Sequence, residues 1–187
     1  MPVDMKTVIA DAFSTMLEYK SVDKITVKAL LDECHISRQT FYYHFQDIMD
    51  VLEWSFRQVT QRLVEQSLKT EDMRSALQIF ISFTVKHYSK IQRLLESQRR
   101  KQVEQIMIEA VETYLKELVH HKWPDLAVNL TDMEIVVRYN ACGIVGVLES
   151  CGGKSNLDQE RLILLIERIL LGELSEWNGY LPLPSTR

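Results

Sequence analysis

Within residues 26–45 the chain carries two short helical patterns, each opened by a hydroxyl side chain, with almost nothing between them. Val27, Leu30, Leu31 and Cys34 recur at the three- and four-residue steps that place side chains on one face of a helix. Thr26 stands directly before them, where its hydroxyl can accept one of the first-turn amides that lack a partner inside the helix. The stripe ends at Cys34, His35 and Ile36, and Ser37 at once offers a second N-cap for a helix starting at Arg38. Two short helices on so brief a connector cannot lie parallel and must cross steeply. A third pattern precedes them: Val8, Ile9, Ala12, Phe13, Met16 and Leu17 predict a first helix over residues 3–19, broken by Ser21, Val22, Asp23 and Lys24.

The helix opened by Ser37 has an unusual wet side. With Phe41 and Phe45 turned inward and Ile36 anchoring the turn, the opposite face carries Gln39 and Tyr43, flanked by Thr40, Tyr42 and Gln46. A surface helix ordinarily covers that side with Lys and Glu. Here Arg38, Gln39, Thr40, Tyr42, Tyr43 and His44 suit a nucleic-acid duplex instead. Arg and Gln bond base edges in the major groove, Thr offers a hydroxyl and a methyl for thymine, and Tyr and His donate to phosphate oxygens. The competing account, aromatics that merely close over a small core, applies best to Tyr42 at the edge of the buried face.

Bulk charge does not favour such a partner. The 187-residue chain has a formal charge of −4, and residues 1–57 hold six cations (Lys6, Lys20, Lys24, Lys28, Arg38, Arg57) against nine carboxylates. Affinity for a duplex depends on the cations that reach phosphates and not on the total. From residue 34 to residue 46 there is one Arg, two His and no acid.

Six glycines and four prolines, two of the prolines within the last six residues, leave few breakpoints for a many-stranded fold. The expected class is all-α. The start, Met-Pro-Val-Asp, lacks a basic segment followed by an apolar one, and no apolar stretch approaches the roughly 20 residues of a membrane span, so a cytoplasmic protein without a membrane partner is expected. Cys34, Cys142 and Cys151 include no Cys-x-x-Cys pair and are read as small buried thiols in a reducing compartment. The five histidines supply no helical pair with a carboxylate ligand set, so no metal and no cofactor is expected. No Gly-x-Ser-x-Gly motif is present, and Gly153-Lys154-Ser155 lacks the leading glycine and the strand of a phosphate-binding loop. No catalytic residue is assigned, and an enzyme is the weakest class.

The run Thr26-Val-Lys-Ala-Leu-Leu-Asp-Glu-Cys-His-Ile-Ser-Arg-Gln-Thr-Phe-Tyr-Tyr-His-Phe resembles the DNA-binding part of the TetR/AcrR family of bacterial regulators. Its most specific part is Ile36-Ser37, two spacers, then Thr40-Phe41-Tyr42-Tyr43-His44-Phe45, and the likeness covers residues 5–55. It implies a three-helix helix-turn-helix domain over residues 1–47, followed over residues 48–187 by a larger helical domain for ligand binding and dimerisation. It implies base readout by Arg38, Gln39, Thr40 and Tyr43, and phosphate contacts by Thr26, Lys28, Ser37, Tyr42 and His44. The implied protein is a homodimer on a palindromic operator, in its usual form a repressor released by a small molecule. Lys24-Ile-Thr-Val and Arg38-Gln-Thr-Phe-Tyr-Tyr-His-Phe also resemble regulators of dihydroxyacetone-kinase operons, which implies a protein co-regulator in place of a small inducer. A helical interaction module without DNA binding is the remaining alternative.

Two positions depart from the family pattern. His35 occupies a turn position usually held by Gly, one that needs a left-handed backbone, which His tolerates better than most residues. Ile48 stands where a Lys usually supports a phosphate contact, leaving the segment from Met1 to Lys6 and Lys24 as substitutes.

Beyond the family-like segment, Val51, Leu52, Phe56, Val59 and Leu63 predict a long amphipathic helix with Trp54 at its side, and further stripes run over residues 76–88 and 103–118. The basic run Gln98-Arg-Arg-Lys-Gln between them reads as a solvated helix end. Trp123-Pro124-Asp125 ends the helix that carries His120 and His121, because a proline disfavours helix at the residue before it. Thr131 with Glu134 three residues on has the form of a capping box for a helix over residues 132–150. That helix contains Gly143 and Gly146, each costing about 1 kcal/mol relative to Ala, a cost that close approach of another helix would justify. Residues 158–171 predict a last, very apolar helix. The family resemblance makes these two the four-helix interface of the dimer. It also implies a pocket among the C-terminal helices. Trp54, His87, Tyr88, Tyr114, Tyr139 and Asn140 are of suitable type, but no spacing makes them converge, and no ligand residue is assigned.

Overall fold

In the computed structural model, residues 4–122, 124, 129–150 and 168–169 are described. Among them the chain forms eight α-helices and no strand: α1 (Met5–Met16), α2 (Val27–Cys34), α3 (Arg38–His44), α4 (Ile48–Ser67), α5 (Met73–Lys86), α6 (Tyr88–Leu95), α7 (Arg100–Lys122) and α8 (Leu130–Ser150). Most of the last expected helix, residues 158–171, lies outside the described residues; Arg168 and Ile169 are helical.

The N-termini follow the sequence. The side chains of Asp4, Thr26, Ser37, Asp47 and Asp72 each accept a first-turn amide of the helix they open, satisfying donors that a helix cannot satisfy within itself. Between the capped segments the apolar faces meet. Ile9, Phe13, Leu30, Phe41 and Val51 are inaccessible or nearly so, and Val22, Ile25, Phe45, Ile48 and Leu52 close around them. Burial of each large side chain contributes roughly 1.5–3 kcal/mol, which three helices this short need, since helices under about 12 residues are marginal alone.

The same cluster continues along α4 into the rest of the molecule. Leu63 and Val64 of α4, Leu77 and Ile81 of α5 and Val103, Met107 and Leu118 of α7 all belong to it; α4 packs on α5 and α7, and α8 lies on α7. Tyr114 of α7 is buried, stacked on Phe80 with ring centroids 4.9 Å apart. Its hydroxyl donates to the Ala76 carbonyl at 2.8 Å and sits 2.8 Å from the Ser67 hydroxyl, so α4, α5 and α7 share one polar node in an apolar interior. Burial pushes the Tyr114 phenol up to about 12, and it remains a neutral donor.

Three elements differ from expectation. First, α1 covers residues 5–16 instead of 3–19, because Glu18 and Tyr19 donate to carbonyls three residues back and the last turn tightens. Second, the stripe over residues 76–88 is interrupted: α5 ends at Lys86 and His87 leaves helical geometry (φ −106, ψ 11) with its ring 4.4 Å from that of Phe83, so α6 starts in a new direction. Third, α8 opens two residues early. Asn129 accepts the Thr131 amide at 2.9 Å, placing Thr131 inside the helix instead of at its cap. Gly143 and Gly146 are on the exposed side of α8, and among the described residues a Cβ at either would meet nothing within 4 Å.

His35 is the one non-glycine residue with positive φ among the described residues, at φ 52 and ψ 43. Its amide and that of Ile36 both bond the Leu31 carbonyl, closing α2 in a left-handed cap. His35→Gly is expected to leave stability unchanged or raise it by up to about 1 kcal/mol, and His35→Val to lower it by more than about 1 kcal/mol. The check is the urea midpoint at unchanged slope.

Candidate nucleic-acid interface

The left-handed residue and the two caps decide where α3 points. Thr26 Oγ1 accepts the Ala29 amide at 3.1 Å and fixes the start of α2. After the turn at His35, Ser37 is extended (φ −75, ψ 157), and its hydroxyl accepts the Thr40 amide at 3.0 Å. This leaves α3 standing on Phe41, which is fully buried, with Phe45 2% exposed just beyond its end. The two rings are 6.1 Å apart, and Phe45 meets Trp54 of α4 edge-on at 6.0 Å. Helix α3 is thus held by aromatic contacts along one side only.

Its other side projects into solvent. Arg38, Gln39, Tyr42 and Tyr43 are exposed, Tyr43 at 84% and Tyr42 at 48%. The Tyr43 ring meets His44 edge-on and is otherwise accessible to a partner along this face. Thr40 is half-buried on the first turn, with its hydroxyl 2.8 Å from that of Ser37. Thr26, Lys28 and Ser37 are exposed around the N-termini of α2 and α3. His44 is half-buried on the last turn of α3, edge-on to Tyr43 at 5.0 Å. All nine residues singled out from the sequence therefore belong to the α2–turn–α3 unit or its immediate cap.

One pairing was not anticipated. The Arg38 guanidinium lies over the Tyr42 ring, 5.6 Å from its centroid, and its Nη2 donates to the Tyr42 hydroxyl at 3.5 Å. The family resemblance implies separate tasks for these residues, base and phosphate. Their spacing of four along a helix was the available signal. The contact pre-orients a long side chain that would otherwise lose rotamer freedom on binding.

Electrostatics close to this face are gentler than the total charge implies. Asp47 accepts the amides of Met49 and Asp50 at 2.7 and 3.0 Å, and Asp50 accepts that of Gln46 at 2.9 Å. Both carboxylates near the end of α3 are thus engaged with backbone dipoles, which partly offset their charge. Asp4, the cap of α1, is held below the usual carboxylate range, first by the Thr7 hydroxyl it accepts. Ile48 is 5% exposed and belongs to the core, so no cation can reach out from that position. Lys6 stands nearby, its ammonium 5.5 Å from the centre of the Phe45 ring at the end of α3.

Several of the other residues of ligand-lining type are dispersed among the described residues. Tyr114 is in the core, Tyr139 is exposed on α8, Asn140 bonds the Val136 carbonyl of its own helix, and Trp54 packs on Phe45. Of the basic run, Arg100 is paired with Glu104 and Glu149 at 2.8 and 2.6 Å. Burial, followed by the nearby Glu33, pushes the half-buried Cys34 thiol up, whereas Cys142 is exposed on the outer side of α8 and not buried as expected; Cys151 lies outside the described residues. Among the described residues no three His, Cys, Asp or Glu side chains are placed to hold a metal, and no helix is long and apolar enough to cross a membrane.

No protein-family model matches the chain. It is similar to the HTH-type dhaKLM operon transcriptional activator DhaS of Lactococcus lactis, with 22% identity over 169 residues, 89% of each chain. Among solved structures it is similar to the dihydroxyacetone kinase operon activator DhaS, at a TM-score of 0.64 and 20% identity over 91% of this chain and 96% of that one. A tetR-family transcriptional regulator from Streptomyces coelicolor gives a TM-score of 0.65 at 11% identity, covering 97% and 86%. The fatty acid degradation regulator FadR from Bacillus halodurans gives 0.56 at 16% identity, covering 91% and 96%. These likenesses run through nearly the whole chain and establish the fold: a helix-turn-helix head followed by a larger helical part, as in the TetR-family regulators.

Proposed function

We propose that this chain, which carries the fold of the TetR-family regulators, is a cytoplasmic, sequence-specific DNA-binding transcription regulator acting as a homodimer on a palindromic operator. The observation that carries the reading is the exposed, acid-free face of Arg38, Gln39, Tyr42 and Tyr43 standing on the buried Phe41 and Phe45. Residues 1–47 form the reading head and residues 48–187 the regulatory and dimerisation part. In the major groove, Arg38, Gln39, Thr40 and Tyr43 face base edges. Thr26, Lys28, Ser37, Tyr42 and His44 meet phosphates on either side, with Lys6 supplying a cation near the end of α3.

The dimer is supported by α8. Ile135, Val136 and Tyr139 are 62%, 57% and 75% exposed, and Cys142, Gly143 and Gly146 continue the exposed side toward the C-terminal end of the helix. Apolar side chains followed by two glycines allow a second helix to approach closely. The companion segment, residues 158–171, completes the four-helix interface in this reading. A repressor released by a small effector is the simplest regulatory form. Control through a protein co-regulator is the second form, implied by the resemblance of Lys24-Ile-Thr-Val and Arg38-Gln-Thr-Phe-Tyr-Tyr-His-Phe to dihydroxyacetone-kinase operon regulators, while the likeness to the dhaKLM operon transcriptional activator favours activation; the same head serves either, and the position of the operator relative to the promoter sets the sign.

Two experiments test the reading. In gel shifts on the chain's own upstream DNA, Arg38→Ala and Gln39→Ala are expected to cost about 1–3 kcal/mol each and to relax preference at one base step, while Tyr42→Phe weakens all sequences similarly; unchanged affinity in all three contradicts the recognition assignment. In sedimentation velocity at micromolar concentration, the wild type is expected to run as a dimer and Gly143→Leu to dissociate at least about tenfold more readily. A monomeric wild type contradicts the assembly.

A further inference from the structure

We infer that the cleft between α1, α4, α5 and α6 is a binding site for a small amphiphilic carboxylate, whose head group takes Lys90 from Glu18 and so loosens the hold of α6 on the reading head. The inference deepens the effector-controlled form of the proposed function and rests on it for its regulatory part.

The cleft has a volume of about 450 Å³, within the size range of small-molecule sites. Its walls are mainly apolar, with Phe13 of α1, Leu52, Phe56 and Val59 of α4, and Phe83 of α5. The charged groups on it are few and unequal: Arg62, Lys90 and Asp11, with His87 beside them. Burial, together with Lys90 and Lys86, holds the His87 imidazole below its ordinary range, leaving it a neutral hydrogen-bonding group. Arg62 donates only to the Gln58 carbonyl of its own helix and has no carboxylate partner among the described residues. An apolar channel with two cations against one carboxylate suits an apolar chain ending in one negative charge. It does not suit a cation.

Lys90 is where such a ligand acquires a consequence. The ammonium lies 2.9 Å from the Glu18 carboxylate, 3.4 Å from the Ser14 hydroxyl and 3.5 Å from the Ser14 carbonyl. Three residues on, Arg93 donates to the Leu17 carbonyl at 3.0 Å and to that of Glu18. Both cations of α6 thus cap the C-terminal end of α1, where carbonyls lack helical partners and the dipole favours positive charge. Glu18 is 62% exposed, and Lys90 holds its carboxyl below the usual range. A carboxylate entering along the cleft exchanges one partner of Lys90 for another. Glu18 is released to water at small cost, and the ionic part of the α6–α1 contact is lost, leaving Arg93 on the carbonyls of Leu17 and Glu18.

Calorimetric titration of the full chain with octanoate, octanol and octylamine tests this. Saturable octanoate binding is expected, at least about tenfold tighter than octanol, with no binding of octylamine. Glu18→Gln, an exposed change that removes the competitor, should tighten octanoate several-fold, and Lys90→Met should weaken it about tenfold. Equal binding of octanol, no binding of octanoate, or no tightening in Glu18→Gln overturns the site. These measurements need no DNA, so they stand apart from any failure of the recognition assignment. In gel shifts octanoate is then expected to change wild-type affinity at least several-fold and that of Lys90→Met little; binding without any effect on wild-type affinity overturns the coupling.

Discussion

Burial of both ends of α4 is the constraint on which the rest of the molecule depends. Its first turns supply Ile48, Met49, Val51 and Leu52 to the core beneath α1, α2 and α3, and its last turns supply Leu63, Val64 and the Ser67 hydroxyl to the core shared with α5 and α7. Twenty residues at 1.5 Å each make a rod about 30 Å long. A helix anchored at both ends carries the orientation of one body to the other. The small α1–α3 unit, which buries too little by itself to be robust, borrows stability from the larger part through this rod and through the grip of Lys90 and Arg93 on α1. Because the second link is ionic and half-exposed, it is the softer of the two.

The architecture also bears on how an acidic chain could present the DNA-reading surface of the proposed function. Three carboxylates near α3 are engaged with backbone amides: Asp47 at the start of α4, Asp50 on Gln46, Asp4 at the start of α1. What remains in front is one Arg laid on a Tyr, with Gln39 and a fully projecting Tyr43. In the proposed function, recognition by such a face leans on shape and hydrogen bonding more than on counterion release, since few cations stand on it to displace ions from phosphates.

Local signals in the sequence were sufficient for the head. The caps at Thr26 and Ser37, the stripe through Leu30 and the pair Phe41 and Phe45 are each set by neighbours within four residues, and all are realised. The left-handed backbone at His35 was legible from the family pattern. Other features were hidden for physical reasons. The break at His87 interrupts no helical periodicity, because Phe80, Phe83, His87, Ile91 and Leu94 keep three- and four-residue steps across it. Asn129 outcompeted Thr131 as a cap through an amide two residues on, a choice that spacing alone does not separate. The grip of α6 on α1 joins groups 76 residues apart, and nothing local announces it.

The central claim is that the face carried by α3 reads sequence as part of a two-fold assembly. Selection of bound duplexes from a random pool tests both halves at once. The account predicts enrichment of an inverted repeat whose half-sites lie about one helical turn apart or somewhat more. Retention of duplexes with no common sequence, or enrichment of a single unrepeated site, would contradict it.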